Sequence, residues 1–173
     1  MSLYLVSQVL VGIAIIFDIL SFQFKDRKRI VQCLFVSGIL ISTHFFLLGH
    51  QTAGLLMLVA TLRYLTSIFT TSSKAMWVFI GLAITVTAFS YEGMLSILSL
   101  SGTAFHTAGA FSKNDKRLRI LMIIGTLFWI PHNYLASSPV AVIMELLFLS
   151  SNLVGYYRHY LRGQQLLSWK LSG

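Results

Sequence analysis

Charge is scarce in this chain, and acidic charge scarcest of all. Five Asp and Glu stand against 13 Lys and Arg, and charged residues fill 10% of the 173 positions. Average soluble domains carry roughly 25%. A water-soluble fold could not cover a composition that is 56% hydrophobic, with a mean hydropathy of +0.79. A single cysteine, Cys33, excludes an intramolecular disulfide and a multi-cysteine zinc site. HExxH, GxSxG, P-loop and CxxC signatures are missing. No His, Cys and carboxylate grouping has metal-ligand spacing, so neither an enzyme nor a bound metal or cofactor is expected. No basic segment or small-residue cleavage motif marks the first apolar run, which reads as a retained helix.

What fills the chain is apolar runs near the ~20 residues that a bilayer crossing requires. They read as seven helices: Tyr4 to Gln23, Ile30 to Leu48, Ala53 to Thr70, Met76 to Ser90, Met94 to Phe111, Leu118 to Leu135 and Val140 to Tyr157. The links between them include a tight turn at Gly49-His50-Gln51-Thr52 and another at Ala136-Ser137-Ser138-Pro139. Charge parity supports splitting 76–111 at Tyr91-Glu92-Gly93. With seven crossings, Lys25, Arg27, Lys28, Arg29, Lys74, Lys113, Lys116, Arg117, Arg119, Arg158, Arg162 and Lys170 all share one face. Cytoplasmic loops carry the excess of Lys and Arg. The expected topology is therefore multi-pass, with a periplasmic N-terminus and a cytoplasmic C-terminus. On this reading the net charge of +8 sets topology and meets anionic lipid, not nucleic acid.

A repeat at an offset of 88 residues organises the whole. Lys25-Asp26-Arg27-Lys28-Arg29 returns as Lys113-Asn114-Asp115-Lys116-Arg117. Phe17 aligns with Phe105, His44 with His132, Leu47 with Leu135, Ala53 with Ala141 and Leu58 with Leu146. Fixed-offset repetition of this kind signals duplicated architecture. The expected fold is all-α, with two parallel three-helix bundles joined by a linker helix: 1–70, 71–92 as the linker, 93–160, and an interfacial tail at 161–173. Parallel repeats about the membrane normal are a transporter design with a midplane substrate site.

Polar groups inside such helices face a cavity or a partner. Asp18 and Arg63 share the first repeat at similar depth, where an ion pair or a purely structural pair is open to them. His106 replaces Asp18 in the second repeat, among Gly102, Ala104, Thr107, Ala108 and Gly109, which suit close helix packing. Trp129, His132 and Asn133 are spaced i, i+3, i+4 on one helix face, and Pro131 leaves the Leu127 carbonyl without its usual donor. Glu145 and Asn152 share a face of the seventh helix. An indole plane, an amide and a carboxylate can bind a small polar or cationic solute, or can simply pack, with His132 satisfying Glu145. His44 and His132 match near the outer end, as a gate or as hydrated interface residues.

The segments Ser21-Phe22-Gln23, Lys25 to Arg29 and His44-Phe45-Phe46-Leu47-Leu48-Gly49 resemble the YgjV-type bacterial inner membrane protein family. The three-plus-one-plus-three plan is more distantly similar to SWEET sugar transporters, PQ-loop proteins and PnuC-type vitamin-precursor transporters. The chain departs from the PQ-loop pattern, having no Pro-Gln pair and only Pro131 within a helix. Asn152 falls where SWEET-like proteins place a substrate-contacting asparagine. Its counterpart is Tyr64, so the resemblance does not imply a symmetric sugar site. The resulting expectation is a small-solute facilitator or secondary transporter lined by Trp129, Asn133, Glu145, Asn152, Arg63 and Tyr64, with Asp18, His44, His106 and His132 in gating or ion-pair roles. Its partners are the lipid bilayer and a small polar solute, and homo-oligomerisation is compatible with it. The alternative is a non-transporting receptor or assembly factor of the same fold.

Overall fold

Each basic loop ends in an Asx residue that starts a helix. Asp26 Oδ1 accepts from the Lys28 N–H, and Asn114 Oδ1 from the Arg117 N–H, both at 3.1 Å, which makes them N-caps. Those two residues are 88 positions apart. The helices they start, Arg27–Leu47 and Asp115–Leu135, coincide at both ends after the same shift.

The computed structural model describes residues 3–47, 51–89, 91, 93–135 and 139–162, and its regular structure is helical throughout. The order is α1 Leu3–Ser21, α2 Arg27–Leu47, α3 Gln51–Phe69, α4 Ser73–Phe89, α5 Met94–Ala110, α6 Asp115–Leu135 and α7 Pro139–Tyr156, with a π-helical turn, Tyr157–Leu161, continuing α7. Gly93, at φ 74°, supplies the left-handed residue that breaks α4 from α5. Several expected boundaries move. α2, α4 and α6 begin three residues early, at Arg27, Ser73 and Asp115, each just after a capping Asp26, Ser72 or Asn114. Gln51 and Thr52, expected in a turn, belong to α3. Pro139 opens α7, where its fixed φ and missing N–H cost nothing. Gly49, His50 and Ala136 to Ser138 lie outside the described residues, as does the expected tail beyond Arg162.

Helices pack in chain order within two triplets, α1 on α2 on α3 and α5 on α6 on α7. The triplets meet along α1 with α7 and α3 with α5, and α4 lies against α5. The 88-residue shift converts one of those two junctions into the other. The core obeys the same shift: Phe22 and Ala110, Ile30 and Leu118, Leu34 and Met122 are counterparts, all buried in one cluster that also holds Val31 and Tyr64. The sequence repeat is therefore a repeat of packing as well as of hydropathy.

Large apolar side chains are exposed along several helices. Val9, Ile13, Ile16 and Leu20 form an exposed stripe at helical spacing on α1, and α4 presents Trp77, Val78, Leu82 and Ile84 with no residue buried. Exposed apolar surface on this scale suits hydrocarbon, not water. By length and composition α6 can cross a bilayer, while α4 and Met57–Phe69 of α3 are shorter apolar helices.

Candidate functional site

The two triplets meet through side chains at equivalent registers. On one junction, Ser151 of α7 donates to the Ile19 carbonyl of α1 at 2.5 Å, and Gln23 Nε2 donates to Ser151 Oγ at 3.0 Å. On the other, Arg63 Nη1 of α3 donates to Thr107 Oγ1 of α5 at 3.1 Å. Arg63 is the counterpart of Ser151, and Thr107 of Ile19. Each junction is thus closed by the same position of the third helix reaching the same position of the first.

A polar layer runs through this region. Arg63, buried to 5% exposure, stacks its guanidinium over the Tyr64 ring at 4.6 Å and leaves its buried Nε without a hydrogen-bond partner. Tyr64 lies within electrostatic range of Asp18, Arg63 and Glu145. Asp18 sits beside the Ser37 hydroxyl, which falls short of a well-formed hydrogen bond to it. Across the interface, His106 Nε2 lies 3.4 Å from Thr126 Oγ1, and Glu145 lies beside the same Thr126. Gly125 makes room for His106: a Cβ there would stand 2.2 Å from the imidazole Cδ2. Phe148 closes the layer, edge-on to Phe22 at 4.8 Å and tilted over His106 at 6.0 Å.

The side chains singled out in the sequence separate along the helices. Asn152, the counterpart of Tyr64, is fully buried, its Nδ2 donating to the Arg119 carbonyl at 2.9 Å. Arg63, Tyr64, Asp18, His106 and Glu145 occupy the polar layer. Trp129, His132 and Asn133 lie toward the far end of α6, where Trp129 packs edge-on to His132 at 4.9 Å and His132 Nδ1 lies 3.1 Å from Asn133 Oδ1. Fourteen positions separate Arg119 from Asn133 on α6, about 21 Å at ~1.5 Å per residue. Trp129 also fills the space over Gly102, where a Cβ would meet its indole Cδ1 at 2.6 Å. Arg63 takes Thr107 and Tyr64 as partners instead of Asp18. His132 takes Asn133 instead of Glu145, and His44 Nδ1 reaches the Ser7 carbonyl of α1 at 3.0 Å.

Two arginines that read as loop charge are packed inside the fold. Arg27 and Arg119 are both buried, at 9% and 0% exposure, with their guanidinium groups on backbone carbonyls. Gly155 lies against the second of them, its missing Cβ 2.0 Å from the Phe22 carbonyl oxygen and 2.4 Å from Arg119 Nη1. The sequence signal was the repeat register: Phe22 and Phe24 correspond to Ala110 and Ser112. At Arg27 an open hollow of about 410 Å³ is lined by Lys25, Asp26, Arg27, Lys113 and Asp115, drawn from both basic loops.

The family model described as a bacterial inner membrane protein, Imp-YgjV, matches residues 5–163. The chain belongs to that family. It is 29% identical over 166 residues to inner membrane protein YgjV of Escherichia coli strain K12, covering 94% of this chain and 91% of that one. No solved structure matches. Family membership fits the exposed apolar stripes of α1 and α4, for which the bilayer is the natural solvent.

Proposed function

We propose that this family member is a small-solute facilitator or secondary transporter of the bacterial inner membrane. In this reading all seven helices cross the bilayer as three, one and three, with the N-terminus periplasmic and the basic loops cytoplasmic. The two triplets rock about the polar layer between them. Asn152 borders that layer beside Ser151, and Trp129 and Asn133 lie on its periplasmic side.

The observation that carries the proposal is the polar layer itself, in which Arg63, Tyr64 and His106 are buried and Asp18 and Glu145 half-buried. Intramembrane ionisable groups are costly and usually mark a pathway or a relay. Here Arg63, Asp18, His106 and Glu145 gather where two repeats meet, and Arg63 Nε is left unpaired. Sites at repeat interfaces are the recurrent design of secondary transporters.

A thermal-shift screen of purified protein against sugars, nucleosides, vitamins and amines should find a stabilising solute, because a ligand of the folded state raises apparent stability by mass action. Flux of that solute into proteoliposomes should then fall in Arg63→Ala, Trp129→Ala and Asn152→Ala. Stabilisation without flux would favour a receptor or assembly factor and sink the transport reading.

A further inference from the structure

At the basic end the two triplets hold each other through a reciprocal pair of arginines. Arg27, the first residue of α2, donates from Nη2 to the Ala110 carbonyl at 2.7 Å and from Nε to the Ser112 carbonyl, both at the end of α5. Its Nη2 also reaches the Ser67 carbonyl near the end of α3 at 2.5 Å. Arg119, on α6, donates from Nη1 to the Phe22 carbonyl at 2.8 Å and from Nη2 to the Phe24 carbonyl, at the end of α1. The acceptors Phe22 and Phe24 are the 88-residue counterparts of Ala110 and Ser112. The donors are not counterparts: Arg27 corresponds to Asp115, one helical turn before Arg119. Each triplet has thus found its own arginine for the same task. The last carbonyls of a helix lack intrahelical donors and carry partial negative charge, so a guanidinium fork suits them.

We propose that these arginines are a releasable latch that closes the basic end of the passage between the triplets. The inference rests on the transport reading and specifies its inner gate. Three features favour a latch over a permanent brace. The contacts go to backbone oxygens that water can satisfy once exposed, and Arg27 itself lines the open hollow. Each arginine has a carboxylate on its own hairpin within electrostatic range, Asp26 for Arg27 and Asp115 for Arg119. A guanidinium leaving the opposite triplet therefore has a partner waiting on its own. Asp115 is at present engaged by the Tyr160 hydroxyl. Finally, the closed arrangement leaves Arg119 Nε buried without an acceptor, so it is not the arrangement that best satisfies that side chain. Two discrete sets of partners for one group are what a two-state element needs.

The test places nitroxide labels at Lys25→Cys and Lys113→Cys, exposed counterparts on the two basic loops, in full-length protein carrying Cys33→Ala. Inter-label distances are read by pulsed electron resonance in lipid nanodiscs. The parent should give one short distance. Arg27→Lys and Arg119→Lys keep the charge but lose the fork, and each should add a longer-distance population severalfold above any in the parent. Gly155→Ala, which drives a methyl against both Phe22 and Arg119, should do the same without touching an arginine. Parent-like distances in all three variants would overturn the latch. So would the loss of folded protein in all three, since a latch must part without unfolding the chain. Proteoliposome flux separates the two readings: widened distances without solute flux keep the latch and sink transport, and flux with unchanged distances does the reverse.

Discussion

The junction of α1 with α7 and the junction of α3 with α5 are the same contact made twice in different chemistry. At the first, Ser151 reaches the Ile19 carbonyl. At the second, the counterpart of that serine is Arg63, and the counterpart of Ile19 is Thr107. The backbone repeats because the core repeats, through Phe22 with Ala110, Ile30 with Leu118 and Leu34 with Met122. The ionisable groups do not: Asp18 faces His106 across the register, and Glu145 corresponds to Met57. A symmetric scaffold thus carries an asymmetric polar lining. The shared core fixes the geometry of both halves, while the ionisable groups are free to differ between them.

The sharpest way to break the comparison is at Gly155 and its counterpart Ser67. A methyl at Gly155 would stand 2.0 Å from a backbone oxygen, which cannot rotate away. Gly155→Ala should lower stability by about 1–3 kcal/mol, the usual range for overpacking, with melting in detergent as the readout. Gly81→Ala, with nothing within 4 Å, is the control and should leave the melting temperature near the parent's. At Ser67 a side chain already fits, donating to the Tyr64 carbonyl at 2.8 Å. Ser67→Ala should therefore cost only about 0.5–1.5 kcal/mol, one neutral hydrogen bond. Equal effects at 155 and 67 would mean that the two junctions are packed alike, against the geometry.

The next contrast sets Arg63 against Ser151. A double-mutant cycle of Arg63→Ala with Thr107→Val should show a coupling of about 1.5–3 kcal/mol, as for hydrogen bonds to charged groups. Ser151→Ala should cost about 1 kcal/mol, since both its partners, the Ile19 carbonyl and the Gln23 amide, are neutral. A coupling at Arg63 no larger than the serine effect would show that the guanidinium is satisfied elsewhere in the layer.

How much of this was legible beforehand follows from what kind of signal each feature left. The helices and the register of the repeat were readable because hydropathy and the Lys25–Arg29 cluster recur at one offset. So was the break at Tyr91 to Gly93, which charge parity requires. Sites were harder. Asn133 and the Arg119 carbonyl that holds Asn152 sit about 21 Å apart along α6, with Trp129 one turn short of Asn133; helical periodicity gives azimuth and says nothing of what lies opposite. Arg27 and Arg119 were masked by their neighbours, because a basic cluster near a helix end is explained by topology before any single member is asked where it points. Gly155 left no signal in one sequence, its meaning lying wholly in the Phe22 carbonyl it touches.

The smallest expected difference concerns the two matched histidines, and it tests whether sequence symmetry implies equal roles. His44 joins two helices, its Nδ1 3.0 Å from the Ser7 carbonyl of α1. Among the described residues, His132 meets its own helix, at Asn133 and Trp129, at 3.1 Å and 4.9 Å. Truncating an interhelical hydrogen bond removes a tertiary contact, worth about 1 kcal/mol in membrane interiors. Truncating a contact within one helix leaves the partners to relax together. His44→Ala should accordingly destabilise the protein more than His132→Ala, by roughly 0.5–1 kcal/mol in paired melts. The reverse order would place the tertiary role at position 132 and move the weight of the far end of the molecule from α1 with α2 to α6.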